Sequence, residues 1–210
     1  MYHFDYVDKA EWKSVYDQIL EIIHQVQDDV RDKFTFQYRF IGSTALGMIT
    51  CDKRSNIGFD FDINLYPNDE NQKYNAEQIR HILMNSFNKF NSPYGFNNCQ
   101  DSTRVFTMKY VDHANSRIKH SCDFAIVYDC SDGRQQYIRY SKEQDSYYWE
   151  YQPEGYYDLE NKIKWLKKNG YWNDVRELYL EKKNYNDNPD KKSRSLRAEA
   201  INEIAQYYGY

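Results

Sequence analysis

The sequence predicts an α+β core followed by a helical C-terminal segment. Three patterns lead to this fold class. Residues 58–66 alternate apolar and polar side chains, which is typical of a strand with one buried face. Residues 8–32 instead place apolar side chains every three or four positions, as an amphipathic helix does. From Asp158 onward the helical pattern continues almost to the end of the chain, so strands occupy the middle of the sequence.

Helices and strands follow one another in the N-terminal half. Asp8 is predicted to cap the first helix, with Glu11 completing a capping box. Gly42 interrupts the first, aromatic strand. The predicted elements are a helix over 8–32, strands over 34–41 and 58–66, a turn over 67–70 and a helix over 75–90.

The second half contains further strands and then only helices. Gly170 and Gly209 stand where helix C-terminal caps belong. The predicted elements are strands over 104–111 and 120–128, a Tyr-rich hairpin over 135–151, and helices over 159–168, 172–183 and 195–208. We therefore predict two domains, a core over residues 1–153 and a helical subdomain over residues 154–210.

The amino-acid composition argues against one class of binding partner. The 210 residues carry a net charge of −4 and include 22 tyrosines, so the chain is expected to fold around partly aromatic apolar material. The first hundred residues hold 14 acidic and 10 basic side chains, and the remainder holds 18 of each. Proteins that bind long nucleic acids usually carry a strong basic excess. The balance therefore argues against a polymer substrate and leaves small nucleotides open.

Targeting signals and cysteine pairs are not evident in the sequence. It has no run of about 18 apolar residues, so no membrane span is expected. The first residues lack the charged and apolar regions of a signal peptide. Without a C-x-x-C pair, the cysteines are predicted to be reduced thiols of a cytoplasmic protein, with neither zinc nor disulfides. They are Cys51, Cys99, Cys122 and Cys130.

Three segments carry side chains suited to nucleotide chemistry. Gly42 and Ser43 follow a strand, where backbone N–H groups and a hydroxyl suit a phosphate. Asp60 and Asp62 point to the same side of a strand, about 7 Å apart, and their like charges favour a cation such as Mg²⁺ between them. Asp123 heads an otherwise apolar strand, where a carboxylate needs a partner, and a metal or a proton-accepting role would provide one.

This order of motifs resembles the nucleotidyltransferase superfamily of the DNA polymerase beta type. The family pattern is a hydrophobic strand, Gly-Ser, a strand with two acids two residues apart, and a later strand with one acid. The resemblance covers roughly residues 34–128. The gap of 17 residues between Ser43 and Asp60 is similar to gaps in the branch of cGAS/DncV-like and oligoadenylate-synthase-like enzymes. Leu46 departs from the pattern, because a polar residue often stands at that position.

The resemblance implies a polymerase-beta-like fold, a mixed sheet flanked by helices, and a reaction that uses Mg²⁺ or alternatively Mn²⁺. Asp60 and Asp62 would hold two metal ions and the triphosphate, and Asp123 would help bind the second ion and activate a hydroxyl. Gly42 and Ser43 would hold the β- and γ-phosphates. The reaction would transfer a nucleoside monophosphate from an NTP, such as ATP, to a hydroxyl and release pyrophosphate.

The acceptor and the degree of activity stay open at this stage. A small molecule, a protein side chain, an RNA end and a second nucleotide all carry a suitable hydroxyl. The alternative is a weakly active or inactive nucleotide-binding or interaction protein of the same fold, such as a toxin–antitoxin component. The three intact acids favour catalysis over that alternative. The sequence does not indicate the base preference or the oligomeric state.

Other interpretations of the acids remain beside the nucleotidyltransferase hypothesis. The alternating Phe and Asp residues are also typical of a surface strand with solvated carboxylates, and a D-x-D pair occurs in metal-dependent glycosyltransferases. Asp112 is a second candidate for the third acid, but it precedes a polar loop and is interpreted as a turn residue. Lys109 and Arg104 are candidate phosphate contacts. Most lysines of the C-terminal helices are expected to form a solvated face.

Overall fold

The computed structural model describes residues 2–69, 72–153 and 158–210, and the chain divides into two units. The larger unit comprises Val7–Ile49 and Asn56–Gln152. The other comprises Met1–Tyr6, Thr50–Ser55 and Pro153–Tyr210. The predicted helical subdomain begins at residue 154, outside the described residues, and the two-domain boundary stays a prediction. Within the described ranges, none of the helices combines the length and apolar character needed to cross a membrane.

The elements are numbered here in chain order. The strands are β1 (Asp5–Tyr6), β2 (Thr35–Ile41), β3 (Thr50–Cys51), β4 (Phe59–Asn68), β5 (Gln100–Asp101), β6 (Phe106–Asp112), β7 (Arg117–Asp129), β8 (Gln135–Ser141) and β9 (Ser146–Tyr151). The α-helices are α1 (Lys9–Val30), α2 (Gly42–Leu46), α3 (Ala76–Phe90), α4 (Leu159–Lys168), α5 (Trp172–Tyr185) and α6 (Ser193–Tyr207). Every helix and strand predicted from sequence periodicity is present, with ends that shift by a few residues.

Two features differ from the sequence prediction. Strands β1, β3 and β5 each contain two residues, which is too short for a periodic pattern to reveal. The turn predicted over 67–70 is wrong as far as the described residues go, because Pro67 lies within β4 and pairs with Phe36 of β2. Proline is tolerated there because β4 pairs with β7 only as far as Leu65, so Pro67 has a strand on one side only. Glu70 lies outside the described residues.

The larger unit is built on a mixed sheet, as predicted. Its strand order is β2-β4-β7-β6-β5, and β8 pairs with the end of β7 and with β9. Strands β4 and β7 are parallel, and the other pairs are antiparallel. Gly58 lies just before β4, and a Cβ atom there would overlap the backbone of Ile118 and Lys119. Because Gly58 has no side chain, the start of β4 can lie this close to the backbone of β7.

Helices α1 and α3 cover one face of the sheet. Tyr16 of α1 packs against Phe61 of β4, with ring centroids 6.4 Å apart. Phe87 of α3 packs against Phe124 of β7, with centroids 4.4 Å apart. Burying one such large apolar side chain stabilises a fold by about 1.5–3 kcal/mol. The odd-numbered residues Phe59–Leu65 of β4 therefore face the helices, and the even-numbered residues face the other way.

The two long helices of this unit begin differently. Asp8 occupies the N-cap position of α1, but its side chain makes no capping hydrogen bond, so the capping box predicted with Glu11 is not complete. Asn75 caps α3 fully, because its side chain accepts from the Gln78 backbone N–H at 2.9 Å. The Gln78 side chain in turn accepts from the Asn75 backbone N–H at 3.0 Å.

The smaller unit consists of the β1–β3 pair and helices α4, α5 and α6. Gly170 and Gly209 adopt φ values of +82° and +83°, which confirms their predicted place at helix C-terminal ends. Several lysines of this unit pair with carboxylates at the surface, as Lys182 does with Glu203 at 2.7 Å. The buried apolar residues of the helices are Leu166, Val175, Tyr179, Leu196, Ala198, Ala200, Ile201 and Ala205.

His120 is buried on the helix-covered face of the larger unit. It is 7% exposed and lies between aromatic rings, with centroid distances of 5.5 Å to Phe59 and 4.9 Å to Tyr110. Its Nε2 atom has no hydrogen-bond partner among the described residues. Burial, together with the nearby Lys119 charge, lowers the pKa of His120 to about 4. The imidazole is therefore neutral in the folded protein at pH 7.

Exchange of His120 for Phe tests this burial. The pKa of His120 is about 4 when folded and about 6.5 when unfolded, so stability is lost as the pH falls through this window. We expect the unmodified protein to lose about 2 kcal/mol more than His120→Phe in free energy of unfolding between pH 7.5 and pH 5. Urea unfolding followed by circular dichroism at both pH values measures the difference. Equal losses in the two proteins would contradict it.

Candidate active site

The three predicted acids lie on one face of two neighbouring strands. Asp60 and Asp62 alternate along β4 with residues that face the helices, so both carboxylates lie on the opposite face. Asp62 is the register partner of Asp123 on the parallel strand β7. Paired residues of adjacent strands point to the same side of a sheet. The fold thus brings together acids from two segments that are far apart in the sequence.

The turn at Gly42 lies directly beside Asp62. Strand β2 ends at Ile41, which pairs with Asp62, and α2 begins at the next residue. Gly42 has a φ of +62°, and a Cβ atom at this position would overlap the Oδ2 atom of Asp62. Ser43 follows in the first turn of α2 and is partly buried. The predicted phosphate-binding turn therefore lies beside Asp62, and Asp123 lies beside Asp62 on the opposite neighbouring strand.

Two hydroxyl groups bind the carboxylates from within the sheet. Thr107 of β6 is the register partner of Asp123 and donates its Oγ1–H to Asp123 Oδ1 at 2.6 Å. Ser121 of β7 is the register partner of Asp60 and donates its Oγ–H to Asp60 Oδ1. Sequence analysis missed both residues. Ser121 had a signal, because it precedes Asp123 by two positions on the same strand face, but Thr107 is recognisable only once the register is known.

The surroundings of Asp123 raise its pKa above the ordinary value of an aspartate. Burial is the largest cause, and the negative charge of Asp60 adds to it. The hydrogen bond from Thr107 and the positive charge of Lys109 act in the opposite direction. Lys109 also donates to Gln100 Oε1 at 2.7 Å. A raised pKa makes Asp123 a stronger proton acceptor than an exposed aspartate.

The donor chemistry of this face fits a divalent cation such as Mg²⁺. As the side chains lie, no group of three or more His, Cys, Asp or Glu residues forms a ready metal site in the described part of the chain. Asp60 and Asp123 each accept one hydroxyl hydrogen bond on Oδ1, and the Oδ2 atom of Asp62 lies close to Gly42. Three neighbouring carboxylates nevertheless supply hard oxygen ligands, and a cation would offset the repulsion that helps raise the pKa of Asp123.

The other candidate residues have different surroundings. The interpretation of Asp112 as a turn residue is wrong, because Asp112 is the last residue of β6 and pairs with Arg117 of β7. It accepts hydrogen bonds from Asn115 of the loop that follows. Arg104 donates to the Tyr137 hydroxyl of the β8–β9 hairpin at 3.2 Å, and its guanidinium lies 4.6 Å from the centroid of that ring. Of the two predicted phosphate contacts, Lys109 is therefore the one whose charge reaches an acid of the site.

A cleft of about 490 Å³ lies apart from the acids. None of the predicted site residues contributes to its lining, and the His120 that lines it belongs to the helix-covered face. The residues around the cleft are Val15, Gln18, Pro93, Tyr94, Gly95, Tyr110, Lys119 and His120.

The architecture matches the nucleotidyltransferase fold of two solved synthases, DncV and CdnE. Vibrio cholerae DncV, a cyclic AMP-GMP synthase solved with nonhydrolyzable GTP, matches 95% of the chain with a TM-score of 0.58 and 14% identity. The CdnE c-di-GMP synthase of Capnocytophaga granulosa matches 94% with a TM-score of 0.56 and 13% identity. The fold predicted from the motif resemblance is thereby confirmed.

The matches cover nearly all of this chain but a much smaller share of the DncV and CdnE chains. The chain covers 53% of the DncV chain and 61% of the CdnE chain, so it spans little more than half the length of these proteins. A DncV double mutant with two aspartates two residues apart changed to alanine matches 89% of the chain with a TM-score of 0.58 and 11% identity. No family model matches the sequence, and no curated protein matches it.

Replacing Gly42 by Ala tests the contact between the turn and the acid. Gly42 and Gly133 both have positive φ, but a Cβ atom on Gly133 would meet nothing within 4 Å. Each alanine pays about 1 kcal/mol for the left-handed backbone. We expect Gly42→Ala to lose at least about 1 kcal/mol more stability than Gly133→Ala, since only its Cβ displaces a carboxylate. Urea unfolding of both variants measures this, and equal losses would contradict the contact.

Proposed function

We propose that this protein is a metal-dependent nucleotidyltransferase that transfers a nucleoside monophosphate from an NTP to a hydroxyl acceptor. The observation that carries the proposal is the register of β4 with β7, which sets Asp62 beside Asp123. Asp60 lies on the same strand face, and the Gly42 turn touches Asp62. A fold match alone does not define an activity, so the proposal rests on this arrangement of acids beside a turn that suits phosphate.

The acids have distinct roles in the proposed reaction. Asp60 and Asp62 would hold the divalent cations and, through them, the triphosphate, and Asp123 would share the second cation. Bound Mg²⁺ would supply Lewis acidity and charge neutralisation at the reacting phosphate. Gly42 and Ser43 would hold the β- and γ-phosphates with backbone N–H groups and a hydroxyl. Lys109 adds a positive charge on the side of Asp123.

The chemical step is an in-line displacement at the α-phosphorus. The acceptor hydroxyl oxygen forms a bond to the α-phosphorus, and the bond from that phosphorus to the α,β-bridging oxygen breaks, which releases pyrophosphate. The hydroxyl proton goes to Asp123. A carboxylate at this position suits the general-base role.

A second nucleotide is the first acceptor to test. DncV and CdnE, whose folds match this chain, are described as cyclic AMP-GMP and c-di-GMP synthases. In those products each nucleotide supplies a hydroxyl to the next. The chain covers little more than half of either protein, so a small molecule, a protein side chain and an RNA end remain acceptors to compare.

The experiment incubates the protein with each α-labelled NTP, singly and in pairs, with Mg²⁺ or Mn²⁺. We expect pyrophosphate release and a labelled product, and a loss of about 100-fold or more in Asp60→Asn, Asp62→Asn and Asp123→Asn. Asp112→Asn is the matched control, because it removes the same charge from the end of β6, where Asp112 accepts from Asn115. Thin-layer chromatography of the products and a pyrophosphate assay measure the outcome.

A second measurement separates turnover from binding. A nucleotide that binds only the folded protein raises its melting temperature. An increase in melting temperature with NTP and Mg²⁺ but no product with any acceptor would support the alternative of an inactive nucleotide-binding protein. If the melting temperature does not respond to any NTP and no pyrophosphate appears, both functions are excluded.

A further inference from the structure

We propose that Thr107 and Ser121 are positioning residues that orient Asp123 and Asp60 for cation binding. This inference rests on the proposed function, because it concerns the same acids. It adds two hydroxyl side chains to the site that belong to none of the sequence motifs. Neither hydroxyl contacts the substrate in this proposal, and each acts through the carboxylate that it binds.

The first observation is the pairing of Thr107 with Asp123. The two residues face each other across the antiparallel pair β6–β7, and the hydroxyl donates to Oδ1 at 2.6 Å. Threonine has a branched Cβ, which restricts the rotation of its side chain, so the donor position is well defined. A carboxylate with one oxygen fixed in this way directs its second oxygen, Oδ2, away from β6. The bond therefore selects one orientation of Asp123.

Ser121 repeats the arrangement on the other side of β7. It lies opposite Asp60 in the parallel pair β4–β7, and its hydroxyl donates to Asp60 Oδ1. Ser121 is itself buried, so water does not readily replace this donor. Asp60 and Asp123 thus each receive one hydroxyl on Oδ1 and keep Oδ2 for another ligand. Asp62 differs, because its Oδ2 lies against Gly42.

Hydrogen bonds to a ligating carboxylate contribute to cation binding in two ways. They reduce the number of orientations that the carboxylate loses when the ion binds, and they keep it from turning toward other partners. Loss of such a partner typically lowers metal affinity or activity by about 10–100-fold. A hydroxyl that held its carboxylate away from the ion would have the opposite effect, and its removal would strengthen cation binding. The direction in which the Kd for the cation changes when a hydroxyl is removed therefore tests the proposal.

The test measures Mn²⁺ binding to the full chain without nucleotide, by electron paramagnetic resonance of the unbound ion. We expect Thr107→Val to raise the Kd for Mn²⁺ by about 10-fold, because valine keeps the shape of threonine but cannot donate. Thr107→Ser restores the donor and is expected to stay within about 3-fold of the unmodified protein. Ser121→Ala and Ser121→Thr form the corresponding pair at Asp60. Asp62→Asn shows whether the bound Mn²⁺ occupies this site.

Thr35→Val is the matched control for the loss of a threonine hydroxyl. Thr35 is exposed on β2 of the same sheet and pairs with Asn68, at the end of β4 away from the acids. We expect its Kd for Mn²⁺ to equal that of the unmodified protein. The melting temperature of each variant shows that it is folded, and the Ser121 pair provides an independent measurement if Thr107→Val does not fold.

The outcomes separate this inference from the proposed function. Unchanged or tighter Mn²⁺ binding in both Thr107→Val and Ser121→Ala would overturn the positioning role, even if the protein transfers nucleotides. Weaker binding with rescue by Thr107→Ser and Ser121→Thr would support it, even if no acceptor is labelled. Mn²⁺ binding that is undetectable, or unaffected by Asp62→Asn, would also overturn the inference, because the acids would then not hold the ion.

Discussion

The parallel pairing of β4 with β7 determines the arrangement of the whole candidate site. It sets Asp62 beside Asp123 and Asp60 beside Ser121 in a single register. Because side chains alternate along a strand, a shift of one residue would move the acids to the helix-covered face and expose Phe59 and Phe61. The apolar packing of α1 and α3 therefore specifies the register, and the register in turn specifies which carboxylates are neighbours.

The two faces of β4 thus have opposite effects on the stability of the sheet. Its odd-numbered side chains pack against aromatic residues such as Tyr16 and Phe40, and this burial stabilises the sheet. Its even-numbered carboxylates bring like charges close to Asp123, whose pKa rises as a result of burial and of the Asp60 charge. The apolar face must outweigh this repulsion in the absence of a cation. Hydroxyl donors within the sheet reduce the cost, because a carboxylate that accepts a hydrogen bond is less destabilised by burial.

Periodicity explains which parts of the fold were predictable. Long elements such as α1, β4 and α3 carry enough repeats for the sequence pattern to identify them, whereas the two-residue strand β3 carries none. Pro67 was assigned to a turn, and only the extent of the β4–β7 pairing explains why β4 can continue through it.

The residues of the candidate site also differ in whether a local sequence pattern identifies them. The acids and the Gly42 turn were found because each motif has a local pattern, and the fold brings Gly42 and Asp62 into contact. Thr107 and Ser121 escaped detection because their role depends on which residues face each other across strands. A single sequence contains no direct record of that register. The roles of all these residues in binding or catalysis remain predictions.

The distance along the chain between the two paired strands has a consequence for folding. Asp60 and Ser121 are separated by 61 residues, and α3, β5 and β6 lie between them. Parallel pairing over such a separation closes a long loop, and contacts of this kind form late and slowly. During synthesis, the carboxylates would become neighbours only after β7 had left the ribosome. A cation that requires all three acids would bind only after the sheet is complete. Ion binding would then stabilise the correctly folded core and none of the earlier folding intermediates.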